Sequence, residues 1–274
     1  MRWSFSGMAV AMMVLASCEF TVVGTRSGKL AAGDLEALSV YTGVGDLKVT
    51  GAEGATDIEV KLTIRGQGPW ARKACDPESL PLDLTDLGDG TAELVVVLPN
   101  EMTSQCSIDV EVVMPSAITL GVVDELGDIT IRDVASLYLE DGSGDVNIGD
   151  VVGDVEIIDD SGDIIVSDVG GCVEIDDGSG DLSVVNVGGD ASVIDVGGDL
   201  VVREVNGRVD IVDGSGDISV TEVGGDVDIE DVGGDIDVRD VVGTVFVTDG
   251  SGDIYVDDVG GLSIREDNGG DVHS

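Results

Sequence analysis

The chain has 274 residues, with 56 acidic side chains against 13 basic ones and a formal charge of −43. Aromatic residues make up 3%, 41 positions are Gly, 42% of residues are hydrophobic, and mean hydropathy is +0.25. That charge excludes a nucleic-acid groove and a polybasic membrane patch, both of which need Lys and Arg. The apolar content argues against the disorder usual for acidic, aromatic-poor chains. Val, Ile and Leu dominate it, which points to packed β structure with Gly-rich turns.

Residues 1–7 carry one charged side chain, Arg2, and Met8 to Ala16 are uniformly apolar. This run is too short to span a bilayer but fits the core of a secretory signal. It ends Leu15-Ala16-Ser17-Cys18, which resembles the bacterial lipobox. The resemblance implies that residues 1–17 are removed as a signal peptide. It also implies that the Cys18 sulfur carries a diacylglycerol, anchoring the chain in the bacterial cell envelope, at the outer membrane or cell surface. The alternative is a plain signal peptide with an incidental Cys. Residues 18–37 are expected to be a tether.

Residues 38–133 read as an irregular β region. Gly45-Asp46-Leu47-Lys48-Val49 has a turn-plus-strand form, and Asp57 to Ile64 and Ser107 to Met114 alternate apolar with polar. Gly66 to Pro81, with Trp70, reads as an inserted loop. Export permits disulfides, so Cys75 and Cys106 are either paired or two buried free thiols. Cys172 stands alone and is expected to be a free thiol.

Residues 134–274 repeat every 18 positions. Asp recurs at 145, 163, 181, 199, 217, 235 and 253, each preceded by Gly. A second Asp series runs 141, 159, 177, 195, 213, 231 and 249, and a Val series runs from Val151 to Val259. Each period holds two half-repeats. One opens Asp213-Gly214-Ser215-Gly216-Asp217 and continues into Ile218-Ser219-Val220-Thr221; the other opens Val223-Gly224-Gly225-Asp226 and continues into Val227-Asp228-Ile229-Glu230. Period-two alternation between Gly turns signals half-buried strands. Such strands bury their apolar face only by stacking, which predicts an all-β parallel β-helix, or β-solenoid, of about 18 residues per coil. The predicted inward rows include those containing Val146, Ile148 and Ile157. The Val151 row is expected to plug a core corner, and both Asp rows are assigned to the corners and outer wall. Gly supplies positive φ at the corners, and Asp holds them through bonds to backbone N–H groups. Residues 121–274 hold 40 acids and 5 bases, so most of the charge belongs to the repeats.

The Ser-Gly-Asp-Ile-x-Val units, as at Ser215 to Val220 and Ser251 to Val256, alternate with Val-Gly-Gly-Asp-Val units, as at Val223 to Val227. Together with Val112-Val113-Met114-Pro115-Ser116, this pattern resembles the bacterial "putative adhesin" β-strand-repeat family, a domain of unknown function, over roughly residues 38–271. The resemblance implies a right-handed β-helix on exported or lipid-anchored proteins. It transfers no functional residues.

Three classes of function follow. The first is a non-catalytic, surface-exposed interaction module with an unknown protein or glycan partner, held to the membrane by its N-terminal lipid. The second is a calcium-binding structural solenoid. Asp213 and Asp231 are neighbours up the rod, as are Asp217 and Asp235, and stacked carboxylates repel unless cations or backbone bonds offset them. The Gly-Gly-x-Gly-x-Asp calcium nonapeptide does not fit, because Val227 follows Gly224-Gly225-Asp226. The third is a polysaccharide-active enzyme using a pair such as Asp159 and Asp160. Against it stand the similarity of all coils and the lack of Lys and, apart from terminal His273, of His in the repeats. No catalytic residue or cofactor other than calcium is predicted. The residues that most break the repeat are Arg203 with Arg208, and Phe246 with Tyr255.

Overall fold

Alternation between tight corners turns most of the chain into strands. The fold is known from a computed structural model describing residues 20–68, 71–99, 102 and 105–274. The N-terminal region contributes β1 (Thr21–Ala31), β2 (Ala37–Tyr41), β3 (Leu47–Ala52), β4 (Asp57–Gly66), a single-turn helix α1 (Ala71–Ala74), a 3-10 turn (Pro77–Ser79), β5 (Asp83–Asp86), β6 (Thr91–Val95), β7 (Cys106–Pro115), β8 (Thr119–Asp124), β9 (Ile129–Val134) and β10 (Leu137–Asp141). The regular coils follow as β11 (Val146–Val151), β12 (Val155–Asp159), β13 (Ile164–Val169), β14 (Val173–Asp177), β15 (Leu182–Val187), β16 (Ala191–Asp195), β17 (Leu200–Val205), β18 (Val209–Asp213), β19 (Ile218–Val223) and β20 (Val227–Asp231). The chain ends in β21 (Ile236–Asp249), β22 (Ile254–Asp267) and β23 (Val272–His273).

The architecture is the predicted β-solenoid, about 18 residues per coil and about nine turns long. Each strand pairs in parallel with its equivalent one coil on, as Ile164 with Leu182 and Val155 with Val173. Two walls result. One runs β1–β4–β7–β3–β9–β11 and on through the odd strands to β21, β22 and β23. The other runs β5–β6–β2–β8–β10–β12 and on through the even strands to β20 and the second half of β21. The Val146, Ile148 and Ile157 rows fill the space between the walls and are buried along their length. Each such side chain contributes about 1.5–3 kcal/mol by leaving water.

The structure differs from the sequence reading in three places. Part of the expected tether, residues 21–31, is strand β1, antiparallel to β4. Val23 and Leu30 of this strand pack on the core, so it covers a sheet edge that would otherwise be unpaired. The stacking order also departs from chain order. β2 lies between β6 and β8, and β3 between β7 and β9. The chain therefore lays its first coil, steps back to build the end of the rod, and then climbs past it. Third, the Asp141 series points inward. In β12, Val155, Ile157 and Asp159 share one parity, and that parity faces the core.

The Cys75 and Cys106 sulfurs are bonded, with Cα atoms 5.7 Å apart, fastening the α1 segment to β7. Cys172 is free and exposed. At the far end, the Leu262–Ile264 stretch pairs with a register shift between Val241 and Thr244. Gly252 N–H donates to the Gly269 carbonyl, which ties the terminal segment to the last coil.

Two corner devices make the coil close. Gly216 has φ +138, and a Cβ there would fall on the Gly198 carbonyl group. The opposite corner uses no Gly. Asp150, Asp168, Asn186, Glu204, Glu222, Asp240 and Asp258 take φ between +50 and +61. This left-handed step breaks the alternation by one residue and sends the next side chain, such as Val151 or Val223, back into the core. Asn and Asp tolerate it, whereas Glu has no local bond to offset the strain. Gly216→Ala should therefore cost more than about 4 kcal/mol or prevent folding. Glu222→Gly should stabilise by on the order of 0.5 kcal/mol. Urea unfolding of both variants measures these effects.

Candidate functional site

Three rows of Asp and one break in the outer wall carry the polar chemistry. The first row is exposed. Asp217 Oδ1 accepts the Asp235 N–H at 3.0 Å, and Asp199 Oδ1 accepts the Asp217 N–H at 3.0 Å. The same bond runs from Asp128 to Asp271. Each carboxylate thus clips its coil to the next by a charge-assisted hydrogen bond, which offsets repulsion along the row. A second exposed row uses Asp only on alternate coils. Asp154, Asp190 and Asp226 accept the N–H groups of Cys172, Arg208 and Thr244, at 2.8, 2.7 and 2.7 Å. This 36-residue alternation was present in the sequence, hidden under the stronger 18-residue period.

The third row is buried. Asp124, Asp141, Asp159, Asp177, Asp195, Asp213, Asp231 and Asp249 stand in register on neighbouring coils, none more than 6% exposed. From Asp159 onward, Oδ1 accepts an N–H two residues along, as from Ser179 to Asp177 at 3.2 Å and from Gly197 to Asp195 at 2.9 Å. Oδ2 of every member is buried without a hydrogen-bond partner. Burial, followed by the charge of a neighbouring Asp, pushes Asp141 and Asp159 up to about 6. Burial is also the main cause at Asp124, Asp177 and Asp231, each raised to about 6, and it raises Asp195, Asp213 and Asp249.

The calcium candidates therefore divide. Asp213 and Asp231 belong to the buried row, while Asp217 and Asp235 are exposed and bonded to backbone. Among the described residues, no three acidic, His or Cys side chains are gathered so as to hold a metal ion. The enzyme pair also separates, since Asp159 faces the core and Asp160 faces solvent. Cys18 lies outside the described residues. No helix among the described residues is long and apolar enough to cross a membrane.

The wall breaks its pattern around Asp228. Arg265 holds Asp228 with two hydrogen bonds, 2.6 and 3.0 Å, and Arg208 reaches the same carboxylate at 3.3 Å. The Arg265 guanidinium lies 4.8 Å from the centre of the Phe246 ring. Asp210, Asp228 and Phe246 are outward neighbours on successive coils. The sequence marked Arg208 and Phe246 as unusual but paired them differently. Arg203 instead meets Glu204 at 3.5 Å, and Tyr255 stacks on His273 at 4.7 Å.

No family model matches the chain, and no curated protein does. Solved structures do. One is described as a putative lipid binding protein from Parabacteroides distasonis, at 15% identity over 91% of this chain and 96% of that one, with a TM-score of 0.48. Another, a putative adhesin from Bacteroides fragilis, shows 13% identity over 91% and 96%, with a TM-score of 0.42. A putative cell adhesion protein from Clostridium sporogenes shows 10% identity over 91% and 97%, with a TM-score of 0.29.

The backbone clip and a calcium clip predict different outcomes at Asp217. Asp217→Asn keeps the acceptor oxygen and removes a repelling charge, so it should leave the melting temperature unchanged or raise it. Asp217→Ala removes the acceptor and should cost about 1 kcal/mol. Added calcium or chelator should shift melting of the wild type by less than about 2 °C, which at roughly 2–4 °C per kcal/mol is less than about 1 kcal/mol.

Proposed function

We propose that the chain is a non-catalytic interaction module of the bacterial cell envelope, tethered by lipid at Cys18, with its contact face on the outer wall near the C-terminal end. The observation that carries this is the Arg208–Asp228–Arg265–Phe246 cluster. Inward rows repeat nearly unchanged from coil to coil, as packing demands. Outward rows are free to vary, and in this wall the variation gathers one half-buried aromatic and two exposed cations on a strongly acidic rod. Two Arg side chains and an aromatic ring are residue types enriched where proteins make contact.

The geometry of the rod fits the same role. β1 and β5 close one end, and the described chain begins there at residue 20. β22 and β23 lie at the other end, roughly 55 Å away at the usual strand spacing. An anchor at Cys18 would set the capped end against the membrane and hold the cluster away from it. The −43 charge would further repel the rod from an anionic surface.

Two measurements test the proposal. Cys18→Ser should move the protein from the membrane fraction to the soluble fraction; an unchanged distribution refutes the anchor. Crosslinking in intact cells should yield partner adducts that are lost in a Phe246→Ser, Arg265→Glu double variant. Adducts that persist in a folded double variant refute the contact face.

A further inference from the structure

The buried Asp row plays no part in the proposed contact face and clips no neighbouring coil. Eight carboxyls stand in single file in the core, one per coil, from Asp124 to Asp249. Thr42 continues the file beyond Asp124, its N–H bonded to the Val123 carbonyl at 3.0 Å. Asp267 continues it beyond Asp249 and is exposed. One oxygen of each carboxyl from Asp141 to Asp249 is held by its own turn. The other oxygen has no partner and no water-accessible surface to speak of. An ionised carboxylate in that position would keep a full charge in an apolar interior with one side unsolvated. Its neighbours of the same sign stand one strand spacing away, roughly 4.8 Å.

We propose that this row is a proton-binding column: in mildly acidic surroundings its carboxyls are held as neutral acids while ordinary aspartates are still ionised, so the chain takes up protons as it folds there and the rod hardens as its surroundings turn acidic.

Among the described residues, no cation is among the groups that act on the row. Asp46 and Glu125 act on Asp124, Asp128 on Asp141, and Asp160 on Asp159. Asp181 acts on Asp195, Asp199 on Asp213, and both Asp235 and Asp267 on Asp249. Every one of these is acidic and disfavours ionisation. A divalent cation fits poorly. Calcium takes six to eight oxygens, and a single file offers only the two nearest carboxyls between coils. A proton needs one oxygen and no cavity.

The direction of the pH effect follows from linkage. A carboxyl that holds its proton more tightly when folded contributes stability that is complete below the ordinary aspartate range. That contribution is lost as pH rises through its folded value, about 6 for Asp159 and Asp177. For a chain outside the cytoplasm, as proposed above, the surrounding pH is not buffered by the cell. The column itself does not depend on that location.

The test is urea unfolding of the full chain between about pH 8 and pH 5, in roughly 1 M salt. That salt shortens the Debye length to roughly 3 Å and suppresses the exposed acids without reaching the buried ones. The wild-type midpoint should rise on acidification by the equivalent of more than about one proton taken up per chain on folding. The Asp159→Asn, Asp177→Asn, Asp195→Asn triple variant should be more stable than wild type at the alkaline end and show a flattened pH dependence. The infrared C=O band of protonated carboxyls should be visible in the folded wild type at about pH 6 and weaker in the variant. If the variant does not fold, the wild type still decides. Unfolding it at about pH 5.5 in weak buffer should release protons. No release, no protonated-carboxyl band, or a midpoint that follows calcium and chelator in place of pH would overturn the proposal.

Discussion

Parallel, in-register pairing of equivalent coils is the constraint on which this structure depends. Stacking like on like at one strand spacing satisfies the backbone of every coil through its neighbours. It also forces every residue to meet its own equivalent above and below. For Val and Ile this is favourable, because identical branched side chains interdigitate in a row. For Asp it is not, because like charges meet at the same spacing.

The two kinds of Asp row resolve that conflict differently. The exposed row, with Asp199, Asp217 and Asp235, turns each carboxylate toward the N–H of the next coil, so the charge that repels also binds. The buried row, with Asp177 and Asp195, spends one oxygen on its own turn and leaves the other in the core. The first arrangement works with ionised groups and water nearby. The second favours neutral ones. A chain of formal charge −43 is compatible with a packed interior because most of its carboxylates face outward, and those that face inward stand in one row at a turn.

The N-terminal region answers a different need. A solenoid has two open ends, and an open end exposes unpaired strand edges. β4 reverses direction against β7 and β1 against β4, and β5 reverses against β6, so the stacking stops there. The Cys75–Cys106 bond pins the intervening loop to that closing sheet. Lys29, Lys61 and Arg65 pair with acids across these strands, whereas Lys is absent from the repeats. The region is irregular because ending a repeat requires breaking it.

Much of the solenoid was legible in the sequence, because stacking imposes a period and a period is local in the chain. The 18-residue beat located the coils, the inward Val and Ile rows and the Gly corners such as Gly216. The parity of β12 even contained the inward turn of Asp159, although a carboxylate in a core is counter to expectation. What the beat could not carry was anything set by contacts between distant segments. The order β6–β2–β8 depends on which of several similar strands meet, and their alternation is the same in each. The strand at residues 21–31 forms because β4 offers it an edge. Arg208, Arg265 and Phe246 converge on Asp228 only once four coils are laid side by side. Sequence determined the coil, since each coil's shape follows from its own turns and alternation. Tertiary structure decided the ends, the stacking order and the cluster, since these depend on neighbours that the chain places far apart.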